Sequence, residues 1–157
     1  MFGSHSDPRG VTKSLKYPPS TALSDLVVLI TGANAGIGLA TAAYLYSHGA
    51  NVVIGCRSAQ KAQLAIAQLE ANPAAQDEAG VEITKGTLEF VPLDLASFDS
   101  AKELVNKWES RQNKKLDILI CNAGCIHLDK TVTPDNFEMM YQVSPPLPRS
   151  ASTELTP

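Results

Sequence analysis

The chain has 157 residues, 44% of them hydrophobic, and carries 13 Lys and Arg against 16 Asp and Glu for a net charge of −3. That size and composition suit one soluble globular domain able to bury a core. There is no basic surplus for a nucleic-acid backbone, and no apolar stretch approaches the ~20 residues of a membrane-spanning helix, so neither nucleic acid nor a membrane span is expected.

The opening MFGSHSDPRGVTKSLKYPPS is rich in Ser, Pro and Gly and lacks the apolar centre of a secretory leader, which predicts a flexible N-terminal arm over residues 1–23. Arg9, Lys13 and Lys16 would suit a mitochondrial presequence, but Asp7, Pro8, Gly10 and the Pro18-Pro19 pair break any amphipathic helix there. Cys56, Cys121 and Cys125 are odd in number and fit free thiols in a reducing, cytoplasmic setting.

Residues 26–30 (LVVLI) form a continuous apolar run, the pattern of a strand buried on both faces of a parallel sheet. TGANAGIG follows at 31–38, then a helical pattern to about His48, with Gly49 where a helix commonly stops. A second strand is expected at 51–55 (NVVIG), and Ser58 is placed to cap a helix through SAQKAQLAIAQLEA, with Leu64, Ala67 and Leu69 as its apolar side and Pro73 past its end. The acidic, glycine-containing stretch 74–87 reads as a surface loop before a third strand at 88–93 (LEFVPL). Ser97 opens a third helix carrying Ala101, Leu104, Val105 and Trp108, and LDILIC at 116–121 supplies a fourth strand. Four apolar strands separated by three helical patterns imply an α/β fold, a Rossmann-type doubly wound parallel sheet with right-handed crossovers.

Three glycines between a buried strand and a helix start invite two explanations: a cradle for a phosphate, or a tight turn between packed elements. A helix start aims free N–H groups and the positive end of its dipole into the crevice above the sheet, where anions collect. The flanking strand and helix supply the context that the cradle requires. The second strand of a dinucleotide fold commonly ends in an acid that accepts from the ribose 2′-OH of NAD. Here the position is Arg57, which can instead grip a 2′-phosphate bidentately with Ser58 adding a hydroxyl, so NADP is favoured over NAD. An arginine that merely faces solvent is the alternative.

The spacing TGxxxGxG resembles the cofactor loop of the short-chain dehydrogenase/reductase family, and Arg57, LDLAS (93–97) and CNAG (121–124) follow in the family's order. Over residues 24–143 the combination is most similar to the branch of retinol-dehydrogenase-like and WW-domain-oxidoreductase-like members. The resemblance implies an NAD(P)-binding region contacting the dinucleotide through Thr31, Gly32, Asn34, Ala35, Gly36, Ile37 and Gly38. It adds Arg57, Ser58, Asp94 and Leu95, and the NAG element Asn122, Ala123 and Gly124. Asp94 would accept from the adenine amino group, an ordinary helix-start acid being the alternative; the NAG element would tie strand four to strand one, with Thr31 bonding across.

The family's reaction also needs a tyrosine with a lysine four residues on, and a serine after a fifth strand. Four places beyond Tyr17, Tyr44, Tyr46 and Tyr141 stand Thr21, His48, Ala50 and Pro145, so no catalytic residue is assigned. No metal site is expected: Cys121 and Cys125 have no paired ligands nearby, and His5, His48 and His127 are isolated. Where the branch continues with a relay asparagine, this chain has Ser144 and then PPLPRSASTELTP, whose prolines stop a helix. The expectation is an incomplete Rossmann region, strand order 3-2-1-4, with an unrelated disordered tail at 144–157, as an alternative transcript or frameshift would produce. LDILIC would then be left as an edge strand. Two functions compete: the NADP-binding part of a reductase that in its complete form acts on a carbonyl or alcohol, and a non-catalytic NADP-binding or partner-recruiting module whose PPLP (145–148) would engage a WW domain.

Overall fold

Alternation of short apolar runs with helical stretches is resolved by the computed structural model into four parallel strands and four helices; it describes residues 23–72, 80, 82–126 and 129–144. The expected arm before residue 23, His127 and the PPLP stretch lie outside the described residues. In chain order the elements are β1 (Val27–Thr31), α1 (Gly36–Ser47), β2 (Asn51–Cys56), α2 (Ala59–Ala71), β3 (Leu88–Pro92), α3 (Phe98–Glu109), β4 (Ile118–Ile120) and α4 (Met139–Val143). The sheet runs β3-β2-β1-β4, every pair parallel, the order expected for this α/β fold.

Because side chains alternate across a strand, the central pair serves both faces. Val28, Ile30, Val52 and Ile54 pack with Ala42 and Tyr46 of α1 and Ala62 and Leu69 of α2, whereas Leu29, Val53 and Val91 meet Trp108 of α3 on the opposite face. The Trp108 indole N–H donates to the Lys114 carbonyl at 3.1 Å, and Arg111 lies 4.1 Å over its ring while pairing with Glu89 on β3.

α1 ends where expected: Gly49 has φ +94°, and Ala50 N–H returns to the Leu45 carbonyl at 3.0 Å, a left-handed termination that glycine permits. Ser58 and Ser97 cap α2 and α3, accepting from Lys61 N and Ser100 N. The buried face of α2 differs from expectation. Ala62, Ala65 and Leu69 face the sheet, while Leu64 is 66% exposed and Ala67 is exposed. At ~100° per residue, Leu69 stands about 200° round the axis from Ala67, so the three expected positions never shared a side. Two of the three residues on the buried face are thus alanines.

β4 spans three residues, not the six of LDILIC; among the described residues it pairs only with β1, and Leu119 is 54% exposed. β3 likewise stops at Pro92, one residue short of LEFVPL. Val27 N–H donates to the Asp117 carboxylate at 2.8 Å, fixing where β4 begins against β1. No helix among the described residues is long and apolar enough to cross a membrane.

Candidate functional site

β1 delivers the chain into the glycine stretch at its C-terminal end, beside the end of β2. Gly32 has φ +71° and Gly36 φ +57°, left-handed backbone that a side chain would strain. Gly32 also packs on Ala123, where a Cβ would stand 2.9 Å from the alanine Cα. A Cβ on Gly36 would meet nothing within 4 Å, so that glycine faces open space. Gly38 is the tightest: a Cβ there would overlap the Asn122 side-chain nitrogen and lie 2.9 Å from the Gly32 carbonyl oxygen. It thus brings α1 against the NAG element as well as against β1.

Ala35 occupies the N-cap of α1 with no side-chain acceptor, and the first turn contains no acid. Its N–H groups and the dipole end are therefore left for an external anion.

The NAG element is bolted to β1 through Thr31, which is 5% exposed. The threonine hydroxyl accepts from the backbone N–H groups of Asn122 and Ala123, both at 3.0 Å, and Asn122 Nδ2 donates to the Thr31 carbonyl at 2.9 Å. This is the expected bond across the two strands, doubled at the hydroxyl.

Between these parts opens a cavity of about 820 Å³. Of the fourteen residues expected there, twelve line it: Thr31, Gly32, Asn34, Ala35, Gly36 and Ile37 from the loop, then Arg57, Asp94 and Leu95, and finally Asn122, Ala123 and Gly124. Gly38 and Ser58 do not. Gly38 is spent on packing, and the Ser58 hydroxyl is spent on the α2 cap at 3.2 Å from Lys61 N. Arg57 is exposed and makes no ion pair among the described residues, leaving its guanidinium free at the β2 end. Asp94 does act as a local helix-start acid, its Oδ1 accepting from Ala96 N at 3.0 Å, and yet it lines the cavity as well.

Sequence reasoning missed Cys56 and the wall formed by Cys125, Ile126, Met139, Val143 and Ser144. The apolar run MMYQV was the available signal for that wall, but nothing in it said which residues would turn inward. Cys56 is buried; burial pushes its thiol up, and its Sγ donates to the Ser58 carbonyl at 3.5 Å, so it is a protonated lining group and not a nucleophile. Tyr141 is 55% exposed and lies outside the cavity.

A dinucleotide fits this donor set: an uncapped helix start that can take a diphosphate, a free cation at the β2 end, and Asp94 and Leu95 on the wall of the same cavity. Residues 26–145 match the family described as short chain dehydrogenase, and the chain belongs to that family. It is 43% identical over 117 residues to retinol dehydrogenase 14 of Mus musculus, covering 74% of this chain and 35% of that protein. To the WW domain-containing oxidoreductase of Danio rerio it is 33% identical over 134 residues, covering 85% and 30%. Among solved structures, a metagenomic short-chain oxidoreductase in complex with NADP matches with a TM-score of 0.53 at 31% identity, covering 66% of this chain and 41% of that one. The chain thus spans about a third of the length of the curated relatives it matches.

Proposed function

We propose that residues 24–143 hold NADP(H), preferring it to NAD(H), as the cofactor-binding part of a short-chain reductase. The observation that carries this reading is the placement of the uncapped α1 start and the unpaired Arg57 on one cavity, closed on its third side by the NAG element. The loop from Thr31 to Ile37 would seat the diphosphate, Arg57 the 2′-phosphate, Asp94 and Leu95 the adenine, and Asn122 to Gly124 the nicotinamide ribose. Gly38 and Ser58 would act behind them, one by packing and one by capping. The complete form would transfer hydride between NADP and a small carbonyl or alcohol. By itself the 157-residue polypeptide transfers none, because none of its tyrosines has a lysine four residues on to lower the hydroxyl's pKa. Three free thiols support the reducing cytoplasm as its place of action.

Thermal melts of the 157-residue polypeptide with NADPH, NADH and no ligand test the cofactor half of the reading: NADPH raises the midpoint most. A larger rise with NADH refutes the preference, and no rise with either refutes the cofactor. Steady consumption of NADPH with any of a panel of ketones and aldehydes refutes the inactivity.

A further inference from the structure

α4 is short, yet one of its side chains reaches back to the turn that precedes α3. The Gln142 amide nitrogen donates to the Leu95 carbonyl oxygen at 3.2 Å and to Asp135 Oδ2 at 2.8 Å. Its amide oxygen accepts from the hydroxyl of Thr133, a residue only 4% exposed. The same Asp135 oxygen accepts from Phe98 N at 2.7 Å, so an acid from 37 residues away assists Ser97 at the start of α3. Within the turn, Asp94 N donates to Ser100 Oγ at 2.9 Å and Ala96 N donates to Asp94 Oδ1. Residues 94–98 are thus held from α3 on one side and from Asp135 and Gln142 on the other.

We propose that Gln142 is a positioning residue for the adenine end of the cavity: by fixing the Leu95 carbonyl it sets how Asp94 and Leu95 meet a purine. The inference rests on the cofactor reading above. Both N–H groups of the Gln142 amide are in use, so its loss leaves the part-buried Leu95 carbonyl and the Asp135 carboxylate each short of a donor. Among the described residues no hydrogen bond joins Gln142 to the glycine loop or to the Thr31–Asn122 clamp, so the effect belongs to the base and leaves the diphosphate seat alone.

The test compares NADPH with its hypoxanthine analogue, in which a carbonyl oxygen replaces the adenine amino group, using reduced-nicotinamide fluorescence on the full 157-residue chain. With Asp94 held in place, the wild type binds NADPH about tenfold more tightly than the analogue, the value of one hydrogen bond to a charged acceptor. In Gln142→Met, which keeps the helix and the side-chain length, that ratio falls towards one. A merely structural role would weaken both ligands equally and leave the ratio standing, which overturns the proposal. If Gln142→Met does not fold, Gln142→Leu, which has nothing to donate to Leu95 and sets no charge beside Asp135, gives the same reading. Equal binding of the two ligands by the wild type overturns the inference and leaves the cofactor reading intact, whereas binding of neither removes both.

Discussion

Gly38 lies so close to Asn122 that a single methyl group on the glycine would overlap the amide nitrogen of the asparagine side chain. A methyl group on Gly36, two residues earlier, would meet none of the described residues within 4 Å. The two glycines therefore fail differently. Gly38→Ala costs about 1–3 kcal/mol of folding stability through overpacking. Gly36→Ala costs about 1–2 kcal/mol through its left-handed backbone alone, and it additionally removes the NADPH response. Urea unfolding with and without NADPH separates the two.

Thr31→Val keeps the shape of a 5% exposed side chain but deletes the oxygen that two backbone N–H groups share. Leaving buried donors without an acceptor costs about 1–3 kcal/mol. Thr31→Ser retains most of the stability. A denaturant midpoint for Thr31→Val equal to the wild type would show that the clamp contributes nothing.

Arg57→Ala is expected to weaken NADPH binding roughly 10- to 100-fold, the loss of a charge-assisted contact, with NADH binding unchanged. Arg57 has no ion pair among the described residues, so the melting temperature without ligand stays where it was. Titration of both cofactors against the variant checks the ratio.

Ser58→Ala removes the α2 cap and costs about 1 kcal/mol, while leaving the NADPH to NADH preference in place, because its hydroxyl is engaged with Lys61 N. A collapse of that preference in Ser58→Ala would return the hydroxyl to the ligand.

Asp117 gives a pH signature. Its hydrogen bond from Val27 N, followed by Lys115 at 3.3 Å, holds its carboxyl below the ordinary value of 3.8. A depressed folded value means that the carboxylate stabilises the fold above the unfolded value and that this contribution disappears as pH falls through the folded one. Asp117→Asn is therefore less stable than the wild type near neutral pH, and the gap closes in acid. Denaturant midpoints measured from about pH 6 down to about pH 2 follow it; a constant gap over that range excludes the carboxylate as its source.

Much of this arrangement was legible in the residues. Runs such as LVVLI and NVVIG announce strands buried on both faces, and the glycines, Arg57 and the NAG element each lie where a local pattern points. What escaped were relationships that no local pattern carries. Leu64 outweighs Ala62 in any hydrophobic count, yet it is Ala62, with Ala65 and Leu69, that faces the sheet. Ser58 suited two roles equally on paper, and three-dimensional geometry gives its hydroxyl to Lys61. Met139 and Val143 become a cavity wall through the turn around Asn136, whose φ of 64° redirects the chain, and Gln142 meets Leu95 across 47 residues.

The bond from Val27 to Asp117 spans 90 residues, whereas β1 meets β2 at Val27 and Asn51. Ring closure grows costlier with the length enclosed, and widely separated pairings form late. During folding, the β1–β2–β3 core is therefore expected to condense before β4 docks, with Asn122 and Ala123 arriving at that final step. Pulse-labelled exchange should find the Asn122 amide protected after that of Val52. A ligand that bridges Gly36 and Asn122 would act as a latch on the last piece to arrive.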